Sequence, residues 1–263
     1  MPAQAILADT AAALIHARRT ATKLAEFPGP IPATLGDAYA LQRAVLRGIG
    51  GAVLGWKIGR IPTPDVARLG CDRLAGPILD IAQGGSGEAR VFPGGAGAVE
   101  AEFMMRLAHV PGGPPADDDA ARLLVDRVCA GIEVASSPVR TIHDTAPFGI
   151  IADLGINNGN LLGPEFGRDD GFDELEIVTR IDGAVVGTGR ACDVLDGPFG
   201  ALRFLLDLHF AGTVKVAAGQ WISAGAITGV HTITVGQVAE VAFGDRGRLS
   251  CRAVAQMPES EHA

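Results

Sequence analysis

Residues 98–107 read AVEAEFMMRL, an apolar run interrupted by Glu100 and Glu102. Alternation with a period of two is the pattern of a strand. It puts Val99, Ala101, Phe103, Met105 and Leu107 on one face and Glu100, Glu102, Met104 and Arg106 on the other. Two carboxylates side by side on such a strand repel, or one takes up a proton, unless a cation stands between them. Desolvating them without a partner is costly. The spacing leaves two readings open: a solvated strand face balanced by Arg106, or one edge of a metal site.

A third acid has the same setting. Glu133 lies in GIEVA, with Ile132 and Val134 directed to the opposite face. Three carboxylates on strands form an all-oxygen set, which suits Mg²⁺ or Mn²⁺ better than a structural Zn²⁺. The six histidines are scattered without metal-binding spacing, and His109 and His143 read as ordinary polar residues. Lys57, in LGWKIG, is flanked by Gly55 and Gly59, which leave room for a ligand to approach its ammonium. Such a cation can attract a carboxylate or stabilise an enolate oxygen. A surface lysine is the competing reading. Asp80 in PILDIA and Asp153 in IIADLG are lone acids within apolar, strand-like runs.

Around these residues the pattern predicts helices over 3–27 and 35–49, the second supported at its start by Asp37. A strand is predicted over 52–59, a short helical or irregular piece at PTPDVARLG, and a strand over 77–82. The glycine-rich stretch 84–95 lacks the spacing of a phosphate-binding loop. Acidic residues 117–119 suit the start of a helix over 119–129, and 131–139 reads as a strand. Beyond residue 172 strands dominate. Asp182-Gly183 marks a hairpin turn, 198–212 is the last helix, and the end is strand-rich. This order is not a regular strand–helix alternation, which disfavours a doubly wound sheet. The one boundary signal, near residue 94, divides an N-terminal helical and mixed region (1–93) from a β-rich region (94–263), expected to form one compact unit.

A net charge of -8 argues against nucleic acid or an anionic membrane as partner. No apolar stretch is long enough to span a bilayer. Four widely spaced cysteines without CxxC pairing, and a start without a basic leader, point to a reducing, cytoplasmic setting.

Several segments together resemble one family. ARRT (17–20), DAYALQ (37–42), GWKIG (55–59), VEAEF (99–103), GIEV (131–134), IIADLG (150–155) and ISAGAITG (222–229) follow its order and spacing. The chain resembles the 2-keto-4-pentenoate hydratase and 2-oxo-3-hexenedioate decarboxylase family, within the fumarylacetoacetate hydrolase-like superfamily. The resemblance implies an α+β, mostly β fold built around a β-roll with N-terminal helices. It also implies a homo-oligomer, and short 2-oxo or 2-hydroxydienoic acids from aromatic catabolism as substrates. On this resemblance Glu100, Glu102 and Glu133 would hold Mg²⁺ or Mn²⁺, Lys57 would stand by the substrate, and Asp80 would carry a proton. Arg60, Asp153 and Ala224 would border the substrate.

The chain departs from the family pattern at Arg60–Pro62, Leu154, Ala224 and Ala226, where hydroxyl or amide side chains are usual. The lost donors suggest a changed substrate, and Arg60 could pair with a second carboxylate. Drift away from the reacting centre would also produce these changes. The leading expectation is a hydratase of 2-hydroxypenta-2,4-dienoate. A decarboxylase of 2-oxo-3-enedioates comes next. An acylpyruvate-type C–C hydrolase would need a histidine–glutamate pair, for which His143 is the available residue. An inactive partner subunit of a hydratase–decarboxylase complex is disfavoured by the retention of all three glutamates and Lys57.

Overall fold

The computed structural model describes residues 2–259. Met1, assigned by its sequence position to the N-terminal region, lies outside them, as do residues 260–263 of the β-rich region. Two helices lead, α1 (Pro2–Thr20) and α2 (Leu35–Ile49). Thr34 caps α2 by accepting the Asp37 N–H at 3.1 Å, and Asp37 in turn accepts from the Thr34 hydroxyl. The expected first helix runs past its real end. The backbone turns left-handed at Ala21, and Leu24 instead bridges to Val139.

The strands then arrive in short pieces: β1 (Gly55–Arg60), β2 (Arg73–Ile78), β3 (Ile81–Gln83) and β4 (Ser86–Val91), with α3 (Thr63–Leu69) after β1. The single strand expected over 77–82 is two, broken at Leu79 and Asp80, and its halves lie in different parts of one sheet. The long strands β5 (Ala96–Leu107) and β6 (Val125–Ser137) pair antiparallel, separated by α4 (Asp118–Arg122). The helix expected over 119–129 therefore stops early. Asp117 caps it as foreseen, but residues 125–129 join β6, where pairing to β5 and burial of Val125 and Val128 override helical spacing.

After α5 (Phe148–Ala152) come β7 (Asn157–Phe166), the hairpin β8 (Ile177–Ile181) and β9 (Ala184–Gly189), and α6 (Gly197–Phe210). Asp182 and Gly183 both have positive φ, at 50° and 83°, as a primed two-residue turn requires. The chain closes with β10 (Trp221–Ser223), β11 (His231–Thr232), β12 (Val238–Phe243) and β13 (Arg248–Ala255).

These strands form two sheets. One runs β2-β1-β10-β5-β6-β7-β3, with β11 also on β5; the other runs β4-β13-β12-β8-β9. Strands from both sides of residue 94 pair in each sheet. Phe103 of β5 lies in the core between them, edge-on to Phe166, Phe172 and Phe243 at 4.8–5.4 Å. The alternate face of β5 is buried as well, so its glutamates are inside the protein. The N-terminal helices cover one end of the large sheet through Leu14, Leu41 and Val45 against Ala98 and Ala135. Gln42 ties α2 to both β2 and α5 by donating to the Ala75 and Ile151 carbonyls. Among the described residues, no helix is long and apolar enough to cross a membrane.

Candidate active site

Pairing of β5 with β6 sets Glu100 directly opposite Glu133, and Glu102 opposite Gly131. Like charges placed across a ladder destabilise it. All three carboxylates are buried, and one oxygen from each lies within 4.8 Å of the others. The solvated-face reading of this strand is thus ruled out by burial. Arg106 does not balance the cluster; it makes a bidentate pair with Asp126 at the strand end, at 2.9 Å.

Other elements bring polar groups to the cluster. Lys57 of β1 places its ammonium 3.1 Å from Glu133 Oε1. Asn157 of β7 donates to the same oxygen at 3.2 Å and to Asn160 Oδ1 at 2.9 Å. The backbone N–H of Gly225, in the loop after β10, donates to Glu102 Oε2 at 2.5 Å. Among the described residues, two fully buried carboxylate oxygens nevertheless remain without a donor, Glu102 Oε1 and Glu133 Oε2. Buried carboxylate oxygens with no donor are rare unless a cation takes them up.

The electrostatics point the same way. Burial raises the pKa of Glu102 well above the usual glutamate value, and the charges of Glu133 and Glu100 add to this. Burial also raises Glu133, against the pull of Lys57. For Lys57, burial alone would disfavour the ammonium; the surrounding carboxylates outweigh it and hold the pKa above the ordinary lysine value. One ammonium serves three carboxylates, so the centre has capacity for a further positive charge. The donor set is all oxygen with one amine nearby, which suits a hard divalent cation.

Glu100 and Lys57 bring one edge of the cluster to the wall of a cavity of about 780 Å³. Arg60 and Ala224 line it, where the sequence reading put the substrate. Asp153 does not. It is fully buried at the end of α5, accepting from Arg18 Nε at 2.6 Å and from the Ser137 hydroxyl at 2.5 Å, so its oxygens are committed within the fold. Nor is it on a strand, as its apolar surroundings suggested. Asp80 also lies outside the cavity; its side chain is 64% exposed and faces Arg90. Its place at the break between β2 and β3 turns it away from the carboxylates, which removes the geometric basis for a proton-carrying role there.

Asn157, Asn160, Ser223 and the Gly225 N–H were not singled out in the sequence. Asn157 and Asn160 differ by an odd number of positions, so a regular strand would send them to opposite faces. An irregularity in the β6–β7 pairing, with Gly159 at φ 117°, brings both to the cluster. The run NNGN was the available signal, but asparagine and glycine are poor strand formers.

Fold and site together define a class: the fumarylacetoacetate hydrolase-like fold with a buried three-carboxylate centre beside a lysine. No protein-family model matches the chain. The chain is 28% identical over 249 residues to a 2-oxo-hept-4-ene-1,7-dioate hydratase of Escherichia coli, covering 84% of this chain and 87% of the relative. Among solved structures, it superposes with a TM-score of 0.82 on 4-oxalocrotonate decarboxylase from Pseudomonas putida G7, solved with magnesium and adipate, at 20% identity over 95% of this chain and 98% of the other. Fumarylpyruvate hydrolase from Pseudomonas aeruginosa, solved with Mn²⁺ and pyruvate, gives a TM-score of 0.55 at 17% identity over 76% and 88%. The family resemblance read from the sequence is matched on both counts, by a hydratase relative and by the shared fold.

Proposed function

We propose that the chain is a divalent-metal-dependent hydratase. In this reading it adds water to a 2-hydroxypenta-2,4-dienoate-type acid to give a 4-hydroxy-2-oxo acid. The observation that carries this is the set of buried carboxylates, with two donorless oxygens, whose Glu100 opens with Lys57 into a cavity. Similarity to a hydratase supports the reaction type. Glu100, Glu102 and Glu133 would hold Mg²⁺ or Mn²⁺. Bound there, the cation supplies Lewis-acid polarisation of the substrate's 2-oxygen and neutralises the carboxylates.

The remaining work falls to this chain's own groups. Lys57, kept as an ammonium by its carboxylate neighbours, attracts the substrate carboxylate and can give a proton, and it is poorly suited to act as a base. Asn157 and the Gly225 N–H fix Glu133 and Glu102 in orientation. Ile150, Ile156 and Ile227 line the cavity and limit water around the diene. In the overall change, the dienol gains a proton at C5 and loses its hydroxyl proton, giving a 2-oxo-3-enoate. The oxygen of water then bonds to C4 and a proton to C3. His143 also lines the cavity wall, and in this reading its imidazole would relay such protons. Self-association, a cytoplasmic setting and a role in aromatic catabolism belong to the same proposal.

A second reading, decarboxylation of a 2-oxo-3-enedioate, draws support from Arg60 in the cavity wall. Metal-loaded protein given freshly generated 2-hydroxypentadienoate, and separately 2-oxo-3-hexenedioate, distinguishes the two. Loss of dienol absorbance without CO₂ supports the hydratase, and CO₂ release supports the decarboxylase. Absence of turnover with both refutes both assignments for these substrates.

A further inference from the structure

The loop after β10 runs back along β5. The Ile227 N–H donates to the Ala101 carbonyl at 2.9 Å, and His231 of β11 pairs with Val99. Ala101 and Val99 flank Glu100, so residues 228–230 pass beside that carboxylate, and Thr228 and Glu100 line the same cavity. Residues 224–230 read AGAITGV, a stretch whose one hydroxyl is that of Thr228. This hydroxyl is held from two sides: Thr179 Oγ1 lies 2.8 Å from it and His231 Nε2 3.1 Å. Thr179 is fully buried on the face of β8 that carries Ile177 and Ile181, where a hydroxyl without a partner would be costly. Gly187, opposite Thr179 on β9, lets the group close: a Cβ there would collide with the Thr228 carbonyl oxygen and the His231 ring.

A threonine oxygen donates one hydrogen bond and accepts two. Thr179 and His231 take two of these three places, which leaves the third for a group in the cavity. Among the described residues, the wall has one other hydroxyl, Thr188, exposed on β9. Arg60, Arg190, Asp193 and His143 are exposed as well, and Lys57 is engaged with Glu133 and Arg73 with Asp72 and Asp196. We propose that the Thr228 hydroxyl, held by Thr179 and His231, seats the oxygen added at C4: water before the addition and the 4-hydroxyl after it. The proposal deepens the hydratase reading and rests on it. C4 lies two carbons beyond the one bearing the 2-oxygen, so its water binds close to the carboxylate centre, where Thr228 stands. In this arrangement Thr179 donates to Thr228, and Thr228 donates to His231 Nε2. The open place is then a lone pair, which accepts a proton of the water and leaves the water's oxygen free to bond to C4. That proton stays on the oxygen as the hydroxyl proton; the other is released as the C–O bond forms and is balanced by the proton gained at C3. His231 acts through Thr228 and is a positioning residue.

The first test does not depend on turnover. Mg²⁺-loaded protein is titrated calorimetrically with each enantiomer of 4-hydroxy-2-oxopentanoate and with 2-oxopentanoate, which lacks only the 4-hydroxyl. The better-bound enantiomer is expected to bind about three- to tenfold more tightly than 2-oxopentanoate. Thr228→Val should erase this preference, Thr228→Ser should keep it and His231→Phe should reduce it, with Mg²⁺ affinity unchanged in all three. Thermal melts check that the variants are folded. Equal binding of the hydroxy and unsubstituted acids to the unaltered protein overturns the proposal, as does a preference that survives Thr228→Val. In a second test, with 2-hydroxypentadienoate, Thr228→Val should still form the 2-oxo-3-enoate at the unaltered rate while formation of the 4-hydroxy product drops about a hundredfold. Thr228→Ser should restore the product. A merely structural role lowers both steps together, and that result also overturns the proposal. If the unaltered protein hydrates no dienoate while the preference for the 4-hydroxy acid holds and is lost in Thr228→Val, the hydratase reading fails and the hydroxyl seat stands.

Discussion

Glu100 and Glu133 face each other across β5 and β6 with one ammonium between three carboxylates, an arrangement that favours capture of a cation. Removing one charge should therefore be felt first in metal affinity. Glu102→Gln is expected to weaken Mg²⁺ binding by more than a hundredfold while leaving the circular dichroism spectrum intact. Asn157→Ala, which removes a donor to Glu133, should weaken it by about ten- to a hundredfold. The raised carboxylate values also make stability depend on pH. Glu133 is raised to about 7 and Glu102 is raised too, chiefly by burial, so the folded state holds protons that the unfolded chain releases. For an acid shifted upward, stability is full below its ordinary value and falls as pH rises through the folded value. The Lys57 contribution is fully present across that window, below the ordinary lysine value, and leaves the slope unchanged. The melting temperature of chelator-treated protein should thus fall from about pH 5 to about pH 8, and Mg²⁺ should reverse the fall increasingly as pH rises. A flat profile, or one as steep in Glu102→Gln, contradicts the assignment.

At the scale of elements, the connection from α5 to β7 is the most constrained. Leu154, Gly155 and Ile156 all have positive φ, at 58°, 66° and 55°, which is costly for the two side chains, most of all for β-branched Ile156. The turn is held at its start by the buried Arg18–Asp153 pair and lies against Gly76 and Lys57. Asp153 therefore acts by anchoring a turn that borders the site. Arg18→Met, which strands a buried charge, should cost about 3–5 kcal/mol in denaturant unfolding. A Cβ at Gly155 would stand 2.8 Å from the Gly76 Cα and 3.1 Å from Lys57 Cδ, so Gly155→Ala should lower both stability and turnover. Elements whose signals are local match their sequence patterns: α2 with its Thr34 cap, the Asp182-Gly183 hairpin, and the alternation of β5. Elements decided by partners do not. The stretch 125–129 reads as helix until β5 is placed beside it, and Asn157 and Asn160 carry no strand signal of their own; the irregular pairing with β6 turns both inward.

For the molecule as a whole, both sheets need strands from either side of residue 94. β1 lies beside β10, and β4 beside β13. We infer one cooperative unit, in which residues 94–263 alone would expose the flanks of β10 and β13 and lack Lys57. That fragment should fail to give a sharp unfolding transition, whereas the full chain should melt once, with circular dichroism coinciding with the fluorescence of the buried Trp56 and Trp221. The sequence by itself determined the strand carrying Glu100 and Glu102 and the shared direction of those side chains, because side-chain alternation is a property of the local backbone. It also pointed to Glu133 and Lys57 and, through motif order, to the family. The tertiary structure alone decided that these groups meet in a buried centre, that Asp80 and Asp153 stand apart from it, and that Asn157, Gly225 and Arg190 belong beside it or its cavity. Those outcomes depend on which strands pair, in what register and around which irregularities, and such long-range contacts leave no local periodicity to read.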